Sequence, residues 1–302
     1  MKPVNFGLSI SKLLKCCYNN GVMDGVILLN KPSGMTSFDA VRQVRRIFHE
    51  KKAGHTGTLD PEASGLMIIL LGRYTKMLPY CAANRKTYHA TFSLGKASDT
   101  EDAWGNIIEE KEPSIHSESE LDEAALKMTG RLMQVPPMYS AIKKDGKKLY
   151  EYARKGIEVE REARPIEVYS LAVKQTGENE FTMDACVSSG TYIRTLITDY
   201  AEQLGELALM TSLVRTGIDR LKLEEACTFA DLGEGRGLIS PLYVLDPSYE
   251  RVPLMEEKKV RNGMKLSLGG YGDKIVFVDH EEPCAVYEKQ EDGLYHCQRG
   301  LW

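Results

Sequence analysis

The chain has 302 residues, 42% of them hydrophobic and 27% charged, with a formal net charge of −4 and a mean hydropathy of −0.32. That is enough apolar material for one large domain or two, and no apolar run reaches the roughly 18 residues that a membrane-spanning helix needs. The seven cysteines (16, 17, 81, 186, 227, 284 and 297) form no CxxC pair, and the six histidines stand at no metal-ligand spacing with them. This points to free thiols in a reducing cytoplasm and to no zinc site.

Residues 1–22 hold Lys2, Lys12 and Lys15 but no acid, and their apolar stretch is too short for a signal-peptide core. They are expected to lie outside the fold. Met23 opens a better domain start, MDGVILLNKP, and a chain beginning there has a formal net charge of −7 rather than −4. Val26–Leu29 is a short apolar strand, followed by the turn Lys31-Pro-Ser-Gly34 and a capping box at Thr36-Ser-Phe-Asp39. The helix after it carries Val41, Val44, Ile47 and Phe48 on one face and Arg42, Arg45 and Arg46 on the other. Ala53–Pro61 has neither helical nor strand period, and the apolar run after it, 66–71, reads as a buried strand.

Tyr88–Leu94 alternates, with Tyr88, Ala90, Phe92 and Leu94 on one face. Ser119–Gly130 reads as a capped helix stopped by glycine. Residues 134–164 combine Pro-Pro, a Lys-Lys-Asp-Gly-Lys-Lys turn and tyrosines, a basic excursion longer than most connections in a compact domain. Phe181–Val187 alternates as a strand. Ser188-Ser-Gly190 then turns into a helix whose buried positions are Ile193, Leu196, Ile197, Tyr200 and Leu204, ending at Gly205. Strands and helices mix without a regular βαβ repeat, so the fold class is α+β, with 23–240 as the main domain. From 249 to 302, short β-like runs (Ile275–Val278, Ala285–Tyr287) between glycine turns predict a small, mostly β second domain.

The acidic total hides an uneven distribution. From Lys31 to Lys96 there are 11 Lys and Arg against 4 Asp and Glu, and from Ala97 to Val135 the balance is 3 against 10. Over Lys143–Arg164 it returns to 8 against 5. A phosphate backbone responds to the local patch rather than to the total. The bland reading is ordinary solvated charge.

The peptide Gly54-His-Thr-Gly-Thr-Leu-Asp-Pro61 carries the clearest chemical signal. Its two glycines permit backbone conformations that side chains forbid, and Pro61 restricts Asp60 to extended geometry. A carboxylate so fixed beside a buried strand is oriented, although Asp-Pro also starts many ordinary turns. In Ser189-Gly-Thr-Tyr-Ile-Arg-Thr195, Arg194 falls in the first turn of a helix, where a cation opposes the macrodipole and invites a carboxylate or phosphate partner. Tyr192 beside it is placed to stack or to hydrogen-bond.

GHTGTLDPEASGLM, RKTYHATFSLG, VPPMYSAIKKDGKKLYEYARKGIEV and SSGTYIRTL stand in an order and spacing that resemble the bacterial tRNA pseudouridine synthase B family, over about Gly25–Thr216. The resemblance implies an α+β catalytic domain built on a mixed or antiparallel sheet, with 134–164 as a basic RNA-binding insertion. It implies a PUA-like RNA-binding domain over 249–302. It places the family's catalytic aspartate on Asp60, its active-site tyrosine on Tyr88 and its arginine on Arg194. Substrate contacts fall on His55, Tyr88, Tyr192 and Leu213. Where the family often has two arginines after that apolar contact, this chain has Val214-Arg215, which leaves the role of Val214 open.

The implied activity is isomerisation of uridine 55 in the TΨC loop of tRNA, by base flipping and without metal or cofactor, together with help in tRNA folding. Asp60 would act on the ribose as nucleophile or as base, two roles the sequence leaves open. Arg194 would keep Asp60 ionised, and Tyr88 would stack on the base. The implied partner is the TΨC stem-loop of tRNA, met by a cytoplasmic monomer with no membrane, guide RNA or protein partner. Three other readings compete. A tRNA-folding chaperone would not need Asp60, a guide-dependent synthase of the dyskerin type should carry partner-binding extensions, and a glycosidase would want a second acid opposite Asp60.

Overall fold

The apolar run after Asp60 becomes a strand, Ser64–Leu71, in which every residue but the first is buried. The computed structural model describes residues 18, 19 and 22–302. The chain forms two compact units, one made of residues up to Ala83 and from Arg220 onward, the other of Asn84–Asp219. The expectation that 1–22 lies outside the fold falls mostly on residues beyond the described set. Tyr18–Asn19 pairs with Val22–Met23 in a ribbon of its own.

In the first unit, β1 (Gly25–Lys31) and β2 (Ala53–His55) both run antiparallel to β3 (Ser64–Leu71). Lys31 stands opposite Gly65 and His55 opposite Ile69. Helix α1 (Ser37–Ile47) starts at the capping box the sequence announces, with Thr36 and Asp39 each satisfying the other's backbone N–H. Ser37, Ala40, Val41 and Val44 are buried, while Ile47 and Phe48 are half-buried because the helix ends there. A 3₁₀ segment, Gly72–Tyr80, follows β3.

The second unit is built around five antiparallel strands. It contains β4 (Arg85–Leu94), α2 (Glu118–Lys127), β5 (Gly130–Gln134), β6 (Arg164–Gln175), β7 (Phe181–Ser188), α3 (Ile193–Gln203) and β8 (Ala208–Ile218). The strand order is β8–β4–β7–β6–β5. Tyr88, Ala90, Phe92 and Leu94 are all buried, as their alternation predicts. Phe92 stacks on Phe181 at 5.4 Å and meets Tyr200 of α3 edge-on at 6.0 Å, so α3 covers this face of the sheet.

Two boundaries differ from expectation. Helix α2 starts before Ser119, because Ser117 makes the reciprocal cap with Glu120, and it ends at Lys127. Gly130, at φ +103°, begins β5 instead of closing the helix. Leu204 is half-buried where α3 ends, ahead of Gly205 at φ +70°. Within 134–164 lie a small ribbon, Lys143–Lys144 against Lys147–Lys148, and a five-residue helix, Leu149–Ala153.

After Arg220 the chain rejoins the first unit, where β9 (Leu238–Ile239) pairs with β1. A separate sheet then orders β10 (Glu250–Pro253), β11 (Lys274–Asp279), β12 (Glu282–Lys289) and β13 (Tyr295–Gly300), with β10 parallel to β11 and the other pairs antiparallel. Val252, Val260, Leu266, Ile275, Phe277, Tyr287 and Tyr295 fill its own core. Arg73 of the 3₁₀ segment ties to this sheet through Glu282 at 2.6 Å, and Lys76 Nζ donates to Trp302 O at 2.6 Å. The architecture is α+β with a small β-rich C-terminal sheet, as the sequence predicts. Among the described residues no helix is long and apolar enough to cross a membrane.

Candidate active site

Side-chain and backbone hydrogen bonds hold the loop from His55 to Pro61 from both sides. Ser37, the first residue of α1, donates Oγ–H to Leu59 O at 2.9 Å and accepts Leu59 N–H at 2.8 Å. Lys31, wholly buried at the end of β1, donates Nζ to the carbonyls of Pro32, Met35 and Pro61 at 3.0, 2.8 and 3.1 Å. A buried ammonium is costly unless such partners meet it. Gly34 N–H also reaches Pro61 O at 3.0 Å, and Ala63 N–H closes a turn onto Asp60 O at 3.2 Å. Asp60 is therefore bracketed by two fixed neighbours, Leu59 and Pro61, and is itself half-buried, as is His55.

Gly54 serves a different purpose from the one the spacing of the two glycines suggests. Neither Gly54 nor Gly57 has a positive φ. At Gly54 a Cβ would lie 2.7 Å from Cδ1 of Leu78, so that glycine allows close packing of the 3₁₀ segment rather than a left-handed turn.

The remaining sequence-predicted site residues lie in the second unit. Tyr88 on β4 stands opposite Ala185 of β7 and Arg215 of β8, and Leu213 stands opposite Ala90. Directly opposed side chains share a face, with Cβ atoms about 5 Å apart, so Tyr88, Leu213 and Arg215 line one surface. Tyr88 and Leu213 are each 7% exposed and Arg215 is 0% exposed. A β-bulge between Arg215 and Gly217 lies beside Tyr88, the kind of irregularity that re-aims side chains near functional sites. Val214 points to the opposite face, paired with His89.

Lys86 precedes Tyr88 by one strand period and shares its face. Its Nζ donates to Ser189 Oγ at 3.2 Å. Burial first, then the nearby charge of Arg215, pulls its ammonium down to about 8, against the opposing pull of Asp219.

Arg194 is 4% exposed at the second position of α3. Its Nη1 donates to Thr100 O at 2.7 Å and its Nη2 to Tyr139 O at 2.9 Å, with Asp102 Oδ2 at 3.9 Å from Nε. The partner that a misplaced helix cation invites is thus in part the turn around Thr100–Asp102. Thr195 Oγ1 donates to Glu101 Oε2 at 2.6 Å; burial pushes the Glu101 carboxyl up, while Thr195 and Arg194 pull it down. Tyr192 caps α3, and Gln134 holds its backbone by accepting from N at 2.8 Å and donating to O at 3.1 Å.

His55 and Asp60 belong to the first unit; Tyr88, Tyr192, Arg194 and Leu213 belong to the second. Sequence reading missed Lys31 and Ser37, which fix the aspartate loop, and Lys86, Arg215, Asp102 and Gln134, which surround the second group. Only Arg215 carried a signal, as the cation after Leu213.

A sequence model described as TruB family pseudouridylate synthase (N terminal domain) matches residues 45–193. The tRNA pseudouridine synthase B of Clostridium perfringens is 44% identical over 276 residues, covering 89% of this chain and 92% of that one. The protein of the same name from Bacillus pumilus is 40% identical over 280 residues, covering 88% and 90%. Among solved structures, a crystal structure of a Cbf5-Nop10-Gar1 complex includes a chain with a TM-score of 0.68 and 22% identity, covering 98% of this chain and 88% of that chain. At that identity the likeness concerns the fold alone.

Proposed function

This chain belongs to the TruB family of pseudouridylate synthases, and from that membership we propose that it converts uridine 55 in the TΨC loop of tRNA to pseudouridine, with Asp60 as the reacting carboxylate. The observation that carries the assignment of Asp60 is the clamp on its loop. Ser37 and Lys31 hold the residues on either side of it through buried hydrogen bonds, and a group held this way meets a substrate at little reorganisation cost.

In the reaction the N1–C1′ bond breaks, the uracil turns within the site, and C5 bonds to C1′. The C5 proton is lost and N1 gains one, so the change is an isomerisation. Asp60 acts on the ribose during bond breaking. A uridine in a folded loop must first leave its stack, at a cost of a few kcal/mol, which contacts to the RNA backbone offset. Tyr88 stacks on the flipped base and turns its hydroxyl toward C5, while Leu213 packs against the ring. Tyr192 and His55 contact the nucleotide. Arg194 is the buried cation that favours an ionised carboxylate. The purified protein acts alone on RNA, without guide RNA, protein partner or cofactor.

The test is pseudouridine mapping on unmodified tRNA transcripts with purified protein. Wild type should modify uridine 55, and Asp60→Asn should leave it untouched while binding tRNA within a few-fold of wild type. Turnover by Asp60→Asn near the wild-type rate removes Asp60 from the mechanism. Modification at another uridine removes the site assignment.

A further inference from the structure

The outward face of α1 is a continuous aromatic and cationic stripe. At about 100° per residue, Phe38, Arg42, Arg45 and Arg46 fall within an arc of about 100°, opposite the buried Ser37, Ala40, Val41 and Val44. Phe38 is 61% exposed, and the Arg42 guanidinium lies over its ring at 4.9 Å. The C-terminal end of the stripe opens into a cleft of about 270 Å³ lined by Arg42, Arg45, Arg46, His49, Glu50 and Lys51.

Little among the described residues neutralises this charge. Arg42 pairs with Asp39 at 2.9 Å. The Glu50 carboxylate accepts the backbone N–H groups of Met23 and Lys52 at 3.1 and 2.7 Å. Among the described residues no carboxylate pairs with Arg45, Arg46 or Lys51. The helix dipole accounts for cations in the last turn, but not for Arg42 in mid-helix or for an exposed phenylalanine capped by it. Residues four apart on the stripe rise about 6 Å along the axis, comparable with the step between successive phosphates of a nucleic-acid strand.

We propose that this face of α1 is a second RNA contact, gripping successive phosphates of the tRNA backbone away from the target nucleotide, with Phe38 and Arg42 offering a stacking surface at its N-terminal end. The inference rests on the proposed tRNA substrate and names where the protein holds it. A phosphate grip of this kind adds affinity and salt dependence, not base specificity.

The test compares wild type with an Arg42→Gln/Arg45→Gln/Arg46→Gln variant and with the matching triple Lys variant, which keeps the charge. Arg42 and Arg46 are exposed and Arg45 is half-buried, and thermal melting checks the fold. Binding of unmodified tRNA is measured from 50 to 200 mM salt. The Gln variant should bind at least tenfold more weakly at low salt, and its log–log salt slope should be shallower by about 2 to 3, at 0.7–0.9 per phosphate contact. The Lys variant should keep the slope, and single-turnover pseudouridine formation at saturating enzyme should be unchanged in both. A Gln variant with wild-type affinity and slope overturns the proposal. So does a loss of binding to phosphatidylserine vesicles with RNA affinity intact, which would make the face a membrane contact. If wild type forms no pseudouridine yet the Gln variant still loses tRNA affinity, the proposed function fails and the RNA contact stands.

Discussion

The hydroxyl of Ser37 both donates to and accepts from Leu59, at 2.9 and 2.8 Å, so one side chain at the start of α1 satisfies both backbone groups of the residue before Asp60. Ser37 is 3% exposed and Leu59 is 4% exposed, so no solvent stands ready to replace it. Ser37→Ala should destabilise the protein by about 1–3 kcal/mol, the penalty for stranding buried polar groups. It should also slow single-turnover isomerisation roughly tenfold or more as Asp60 loses its fixed placement, with tRNA affinity unchanged. Denaturant titration and single-turnover assays measure the two effects separately. Stability lost with the rate intact would mean that the clamp serves the fold alone.

Tyr88 gives a sharper division between packing and chemistry. Its ring lies on the buried face that continues through Ala90, Phe92 and Leu94. Tyr88→Phe should keep the ring in place, cost ~1 kcal/mol of stability or less, and slow turnover by roughly 10²–10⁴-fold if the hydroxyl takes part in proton transfer. Tyr88→Leu should lose nucleotide stacking as well. Single-turnover rates at saturating enzyme decide the matter. A wild-type rate for Tyr88→Phe reduces the residue to a stacking surface.

Stability at low pH should depend on Glu206, whose side chain is 1% exposed. Burial alone would raise its carboxyl, but Lys111 at 2.9 Å, Ser114 and His116 overcome it and hold the group down to about 2 from an ordinary 4.5. Between those values the unfolded chain binds more protons than the folded one, so stability rises with pH there. The contribution is complete above about 4.5 and is lost as the pH falls toward 2. The gap in melting temperature between wild type and Glu206→Gln should be widest near pH 6 and should shrink below pH 4. A gap independent of pH would show that the bonds around Glu206 are not charge-dependent.

Local pattern was legible in the sequence, and long-range anchoring was not. The capping box at Thr36, the apolar run of β3 and the alternation of β4 depend on neighbours along the chain, and all three formed as read. Lys31 beside a proline reads as a solvated turn charge, yet it is buried because one of its carbonyl partners, Pro61, arrives from the far side of α1. The two glycines of the Asp60 loop read as freeing the backbone for conformations that side chains forbid, whereas Gly54 gives room for the close approach of Leu78. On the sequence the helix reads from Ser119, whereas the cap pairs Ser117 with Glu120, three residues further on. Arg194 was nominated by its helical position and by family resemblance, but the carbonyls of Thr100 and Tyr139 that hold it lie about 94 and 55 residues away in the chain.

The discontinuity of the first unit has a consequence for biosynthesis. The outer edge of β1 is completed by Cys227, which donates its N–H to Leu28 O at 2.8 Å and accepts Asn30 N–H at 2.9 Å, and then by β9. A nascent chain that has not yet exposed those residues carries the Asp60 loop on a sheet with an open flank. The second unit, by contrast, is a single stretch of chain and lacks none of its own strands once Asp219 has left the ribosome. The second unit is therefore complete in sequence before the sheet of the first unit has all its strands. The sheet bearing the aspartate loop gains its outer flank only after the whole of the second unit has been made.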